Sequence, residues 1–143
     1  MTENFKVTLM RGFAVWLVII GAEIVHGILR VLILEPFAGD FRARQIAVFS
    51  GIGLILTITI LLFRRLKTEN KFSLLCVGFF WLVLTVGFEI ILGRFVMKVS
   101  WERIWSDYDL PNGGLMPFGL IFLTLAPLIA AKFRQRSSKY VQP

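Results

Sequence analysis

Four stretches of the sequence are long and apolar enough to cross the roughly 30 Å hydrocarbon core of a bilayer. They cover residues 12–34, 46–63, 72–97 and 115–131. They give this chain of 143 residues a hydrophobic content of 57% and a mean hydropathy of +0.76, which is more apolar than a typical soluble domain. Backbone polar groups within lipid must be hydrogen-bonded by the chain itself. The sequence therefore predicts an all-α integral membrane protein, a four-transmembrane-helix bundle forming a single membrane domain over residues 1–143.

Charge and rare residue types argue against several functions. The net charge of +7 comes from Lys and Arg at the ends of the apolar stretches, where basic residues set membrane orientation and do not form a nucleic-acid surface. The chain has one cysteine, Cys76, and one histidine, His26. Neither an internal disulfide nor a multi-histidine haem or metal site can be built from them. We expect no metal, no cofactor and no nucleic-acid partner.

Basic residues are unevenly distributed between the segments that flank the apolar stretches. The N-terminal arm, the second loop and the C-terminal tail hold ten Lys and Arg residues, whereas the first and third loops hold four. By the positive-inside rule, this difference predicts that both termini lie on the cytoplasmic side, an N-in/C-in topology.

Glycine and proline mark the predicted ends of helices. Pro36 and Gly39 predict a turn in the first loop, residues 35–45. In the fourth stretch, Pro117 is expected in the first turn, where its missing N–H costs little. Pro127 is expected to kink the fourth helix or end it early.

The third loop contains an aromatic, amphipathic segment at residues 101–108. Helical spacing places its apolar residues on one face and its charged residues on the other. The apolar face comprises Trp101, Ile104, Trp105 and Tyr108. Trp and Tyr favour the membrane–water boundary, so the segment is predicted to be a helix lying on the outer leaflet.

An ungapped internal repeat appears when the sequence is shifted by 66 residues. The shift aligns Gly21-Ala-Glu23-Ile24 with Gly87-Phe-Glu89-Ile90, and Gly27 with Gly93. Two glutamates in the same frame within apolar stretches are a stronger signal than matching apolar residues. The repeat predicts a duplicated helix hairpin, with repeat A at about 12–63 and repeat B at about 78–129. Each unit crosses the membrane twice, so the two copies are expected to be parallel, with a pseudo-two-fold axis along the membrane normal.

Ionisable residues inside the apolar stretches are the primary candidate site. Glu23, His26 and Arg30 share one face of the first helix, and Glu89 and Arg94 lie in the third stretch. Facing lipid, a charged residue there would cost up to about 2.5–3.5 kcal/mol. We therefore expect Glu23, His26, Arg30 and Glu89 to face the bundle interior, and Arg94 to reach toward the outer interface and join Arg30 in a pocket that opens outward. The cluster is either a ligand-binding or proton-binding site or a network that fixes helix register.

A secondary candidate set lies toward the predicted outer face and comprises Arg42, Arg44, Trp101 and Trp105. Most basic residues in this half of the protein are arginines, which favour fixed bidentate partners. Two interpretations remain open. The arginines pair with the nearby acids, or they bind a phosphate or carboxylate headgroup.

Three segments carry a resemblance to known proteins: Glu23-Ile-Val-His26-Gly-Ile-Leu-Arg30, Gly39-Asp-Phe-Arg-Ala-Arg-Gln45 and Gly113-Gly-Leu-Met-Pro117. On these segments, the chain resembles a group of small four-helix bacterial inner-membrane proteins with no assigned activity. The resemblance implies a multi-pass protein of the bacterial inner (cytoplasmic) membrane. It implies no reaction and no site residue.

Three function hypotheses follow. The small loops and the polar cluster favour an accessory or assembly subunit of a larger membrane complex, or a lipid-binding membrane module. The alternative is a small-solute or proton pathway, a channel or transporter that works as a homo-oligomer because four short helices rarely enclose a pore. An intramembrane enzyme using Glu23 and Glu89 is the third, and no catalytic residue is assigned because no motif such as G-x-S-x-G or H-E-x-x-H is present. The expected partners are membrane lipids and either further copies of the chain or a larger complex.

Overall fold

The computed structural model describes residues 5–68 and 70–141, and their side chains up to residue 136. Over this part of the chain the fold is all-α. Its helices are α1 (Phe5–Leu29), α2 (Glu35–Ala38), α3 (Asp40–Leu62), α4 (Lys71–Ile91), α5 (Trp101–Ser106) and α6 (Met116–Val141). Turns of π-helix follow α1 and α4 at Arg30–Leu34 and Leu92–Val96, and 3₁₀ turns lie at Phe63–Leu66 and Leu110–Asn112.

Among the described residues, four continuous helical segments are long and apolar enough to span a membrane. They are Phe5–Ala38, Asp40–Leu66, Lys71–Val96 and Met116–Arg136. The prediction of an all-α, multi-pass membrane protein is thereby confirmed. Each segment extends beyond its predicted apolar stretch at one end or at both, because a helix satisfies its own backbone hydrogen bonds and can continue through polar flanking residues.

The proline and glycine predictions have mixed outcomes. The first loop is almost entirely helical and is broken only at Gly39, whose positive φ of 81° separates α2 from α3. Pro117 lies in the first turn of α6, as predicted. Of the two outcomes expected at Pro127, an early end of the helix is wrong, and a kink stays a prediction. Helix α6 continues through the buried Pro127 because a proline removes only one N–H bond, and the residues that follow are rich in helix formers.

Each spanning helix packs chiefly against two others, so that α1 and α6 both contact α3 and α4. Helices α1 and α4 run parallel. The Trp81 indole N–H donates to the Gly12 carbonyl at 2.8 Å, and the Trp16 indole N–H donates to the Thr85 hydroxyl at 2.9 Å. Both pairs are separated by 69 positions, as parallel helices require. The duplication, its symmetry axis and the orientation in the membrane stay predictions.

The two ends of the bundle differ in packing. We call the end where α1 begins the terminal end and the opposite end, which carries α5, the α5 end. The apolar core fills the terminal half and the middle, where Gly78 lets α4 approach the backbone of α6 at Thr124. Its most buried members are Ile19, Leu66, Leu74, Val77, Trp81, Leu123, Ala126 and Ala130. The half of the bundle at the α5 end, in contrast, contains a cavity.

Candidate functional site

A cavity of about 330 Å³ lies between the spanning helices at the α5 end. Its apolar floor includes Ile19, Ile55, Leu120 and Leu123 and rests on the packed half of the bundle. Its polar wall residues come from α1 and the π turn after it, from α3 and α4, and from residues 101–108, which we call the α5 segment. They are Glu23, His26, Arg30, Arg44, Gln45, Thr85, Glu89, Arg103, Asp107 and Tyr108. The cavity is therefore amphipathic, with charged side chains toward the α5 end and apolar side chains at its floor.

Glu23 and His26 form the deepest polar group on α1. A carboxylate oxygen of Glu23 lies 3.4 Å from Nδ1 of His26, a distance set by their i,i+3 spacing. The other ring nitrogen, Nε2, lies 2.7 Å from the hydroxyl of Ser50 on α3. The carboxylate itself lies against Gly51, where a Cβ would be 3.3 Å from the nearer oxygen. Gly51 thus makes room for Glu23 at the junction of α1 and α3.

Arg30 reaches toward the start of α3. Its Nη1 lies 3.8 Å from a carboxylate oxygen of Asp40, and its side chain is only 17% exposed. Nη1 is buried and has no hydrogen-bond partner among the described residues. Arg30 therefore presents a charged, unsatisfied donor at the cavity wall, seven positions from Glu23.

Asp40 and Asp107 hold two further arginines in an ion-pair network. Arg44 lies 3.1 Å from Asp40 and also pairs with Asp107. Arg103 lies 3.4 Å from Asp40 and 3.2 Å from Asp107. The interpretation that the arginines pair with nearby acids is confirmed for Arg44. The network joins the α5 segment to α3.

Tyr108 of the α5 segment holds Glu89 in place, because its hydroxyl donates to the Glu89 carboxylate at 3.4 Å. Burial raises the pKa of Tyr108 above its ordinary value, and the neighbouring charge of Glu89 raises it further. The phenol therefore remains a hydrogen-bond donor at neutral pH. Glu23 and Glu89, the two glutamates of the predicted repeat, line the same cavity.

Arg94 lies outside the residues that line this cavity. Its guanidinium donates to the Val99 carbonyl at 3.0 Å and lies 4.9 Å from the centre of the Trp101 ring. The expectation that Arg94 joins Arg30 in an outer pocket is thus wrong. Five residues beyond Glu89, it is rotated by about 140° from the face that lines the cavity.

The remaining secondary candidates are exposed. Trp101 and Trp105 are 46% and 58% exposed, while Ile104 is buried between them and packs toward Gly93. A helix forms within the predicted segment, and the Trp105 and Tyr108 rings lie 6.0 Å apart, as a common face requires. Ile104 anchors this helix to the bundle, and its placement on the outer leaflet stays a prediction. Arg42 is exposed and lies outside the residues that line the cavity.

Sequence reasoning did not single out Ser50 and Gly51, or assign Asp40, Asp107 and Tyr108 to the site. A signal was available for Ser50, which is a polar residue within the second apolar stretch. Asp40 with Arg44 and Asp107 with Arg103 are i,i+4 pairs that helical spacing could have indicated. The cross pairs, Arg44 with Asp107 and Arg103 with Asp40, join segments 63 positions apart, and no local spacing rule could have identified them.

Comparison of the chain with protein-family models, with curated proteins and with solved structures found no match. The helices themselves define the class, a small multi-pass membrane protein with four spanning segments. The resemblance to bacterial inner-membrane proteins is supported only to this extent, and the particular membrane stays a prediction.

Proposed function

We propose that the protein is a lipid-binding membrane protein whose cavity holds the polar headgroup of a membrane amphiphile. One observation carries the proposal: the cavity is charged toward the α5 end and apolar at its floor, and it is surrounded by helices that span the membrane. A ligand suited to it has a charged end and a hydrocarbon part. Membrane lipids combine these two chemistries.

Arg30 is the residue best placed to bind an anionic part of the headgroup. Its buried Nη1 lacks a hydrogen-bond partner within the described chain, and an unsatisfied buried donor is costly. Arginine presents planar donors that match phosphate oxygens. A phosphate at the cavity wall would supply the missing acceptor.

A solute or proton pathway has less support. Such a path needs polar groups from one end of the bundle to the other, whereas the cavity ends on Ile19, Leu120 and Leu123. Beneath this floor, the Trp16 and Trp81 side chains are buried and donate their N–H groups within the protein. The packed half therefore favours a blind binding cavity.

The test is lipid retention in wild type, Arg30→Ala and the control Arg42→Ala, which removes an exposed arginine outside the cavity. Each protein is purified in mild detergent, and bound phospholipid is extracted and quantified per chain. We expect stoichiometric lipid in wild type and Arg42→Ala and a severalfold loss in Arg30→Ala. Equal retention in all three folded proteins would contradict the proposal. A tightly co-purifying polypeptide without lipid would instead favour an accessory subunit.

A further inference from the structure

Three buried polar atoms of residues in the cavity wall lack hydrogen-bond partners among the described residues: Nη1 of Arg30, Oε1 of Glu23 and Nε of Arg44. The other guanidinium nitrogens of Arg44 pair with Asp40 and Asp107. That leaves Nη1 of Arg30, a cationic donor, and Oε1 of Glu23, a carboxylate acceptor, as the two atoms for a ligand to satisfy. Each such atom carries a desolvation cost that a bound partner would relieve. A ligand that satisfies both must offer an acceptor to Arg30 and a donor to Glu23.

The deeper part of the cavity is rich in carboxylates. Glu23 and Glu89 both line it, with His26 beside Glu23. The arginines nearer the α5 end differ in how closely acids of the protein already pair with them. Arg44 and Arg103 are already paired with acids, whereas Arg30 has only a long contact to Asp40. A headgroup bearing only negative charge would bring that charge toward the two glutamates, which is unfavourable.

We infer, on the basis of the proposed function, that the headgroup is zwitterionic, with its phosphate at Arg30 and a primary ammonium at Glu23. The two residues lie seven positions apart, two helical turns along one face, with their Cα atoms roughly 10.5 Å apart along the axis. A phosphate and an ammonium on one extended headgroup are matched to donors and acceptors that are separated in this way along the cavity wall. Glu89, on the facing helix, adds a second negative charge near the ammonium.

The unpartnered Oε1 also distinguishes a primary from a quaternary amine. A carboxylate oxygen is an acceptor and needs an N–H or O–H donor. A primary ammonium supplies three such donors, while a quaternary ammonium supplies none. A quaternary ammonium is typically bound by a cage of aromatic rings. The aromatic residues that line this cavity are Phe41 and Tyr108, and the Tyr108 hydroxyl is directed to Glu89. The ligand class is therefore an aminophospholipid of the phosphatidylethanolamine type.

The experiment compares three lipids with identical acyl chains, phosphatidylethanolamine, phosphatidylcholine and phosphatidylglycerol, added in equal amounts to delipidated protein. Bound lipid is measured by native mass spectrometry. We expect severalfold preference for phosphatidylethanolamine in wild type. Glu23→Gln should remove this preference, and the control Glu102→Gln, which alters an exposed carboxylate on α5, should keep it. Both variants must elute as monodisperse species. Glu89→Gln should weaken the preference by a smaller factor.

The outcomes separate this inference from the proposed function. Equal binding of the three lipids, or a preference for phosphatidylglycerol, would overturn the ammonium assignment and leave lipid binding intact. Failure of every lipid to bind would overturn both. Soluble phosphoethanolamine serves as a competitor, and complete displacement of lipid by it would show that the site recognises a free zwitterion and not a lipid.

Discussion

Gly78 of α4 lies so close to the backbone carbonyl of Thr124 in α6 that a Cβ at position 78 would overlap it. A clash with backbone cannot be relieved by rotating a side chain, so the two helices would have to separate. Gly87, on the same helix, has open space around the position of its missing Cβ. The two glycines provide opposite tests of the packing.

Gly78→Ala should lower the melting temperature in detergent, with a destabilisation of about 1–3 kcal/mol or more, as expected for overpacking of a close contact. Gly87→Ala should leave it unchanged or raise it, because Ala favours a helix by up to about 1 kcal/mol over Gly. The measurement is thermal unfolding followed by far-ultraviolet circular dichroism. Equal melting temperatures for the two variants would contradict the described α4–α6 contact.

Thr85→Val should destabilise the protein because it leaves the buried N–H of Trp16 without its 2.9 Å partner. An orphaned buried donor costs about 1–3 kcal/mol. The control is Thr57→Val, which alters an exposed threonine whose hydroxyl donates to the Gly53 carbonyl of its own helix. The measurement compares the free energies of unfolding of wild type and the two variants. A larger loss in Thr57→Val would refute the role assigned to the Trp16–Thr85 bond.

Asp107→Asn should loosen the α5 segment, because Asp107 pairs with both Arg44 and Arg103. Loss of the charge leaves two partly buried guanidinium groups with fewer acceptors. We expect severalfold faster tryptic cleavage near α5 in Asp107→Asn, with the cleavage sites mapped by mass spectrometry. In the control, the Glu102→Gln protein should be cleaved at the wild-type rate. Unchanged cleavage in Asp107→Asn would show that the ion pairs do not hold the segment in place.

Alkaline pH should destabilise the protein through Tyr108. Its pKa is raised in the folded state, so folding favours the protonated phenol. That contribution is fully present below the ordinary tyrosine pKa of about 10 and is lost as pH rises toward the raised folded-state pKa. The melting temperature of wild type should therefore fall more steeply above about pH 10 than that of Tyr108→Phe. Parallel pH profiles would contradict the burial of the Tyr108 phenol beside Glu89.

The fold was largely predictable because the bilayer restricts the chain to a few solutions. Apolar length alone located four spans, and each helix closes its own backbone bonds. The errors concern the helix ends. Pro127 was expected to kink α6 or end it early, and α6 does not end there. The loop at residues 35–45 is helical apart from Gly39. Local rules overestimated the effect of single residues within otherwise favourable helices.

The candidate site was predictable only in part. Desolvation cost placed Glu23, His26, Arg30 and Glu89 together correctly, since all four line one cavity. Arg94 was misplaced, because near a helix end it satisfies its charge on a carbonyl and on Trp101. Contacts between distant segments, such as that of Arg44 with Asp107, depend on how the helices pack and leave no mark in local spacing.

Two glycines of α1 allow the central claim to be tested directly. Gly27 lines the cavity and Gly21 is exposed outside it. At neither position would a Cβ have an atom within 4 Å, apart from its chain neighbours and the backbone of its own helix. A large side chain at position 27 should therefore fill the cavity without disturbing the bundle, and one at position 21 should extend toward lipid. The measurement is the fraction of protein carrying bound lipid in native mass spectra of Gly27→Trp and Gly21→Trp. We predict severalfold loss of lipid in Gly27→Trp and wild-type retention in Gly21→Trp, whereas equal retention in both folded variants would contradict a lipid-binding cavity at this site.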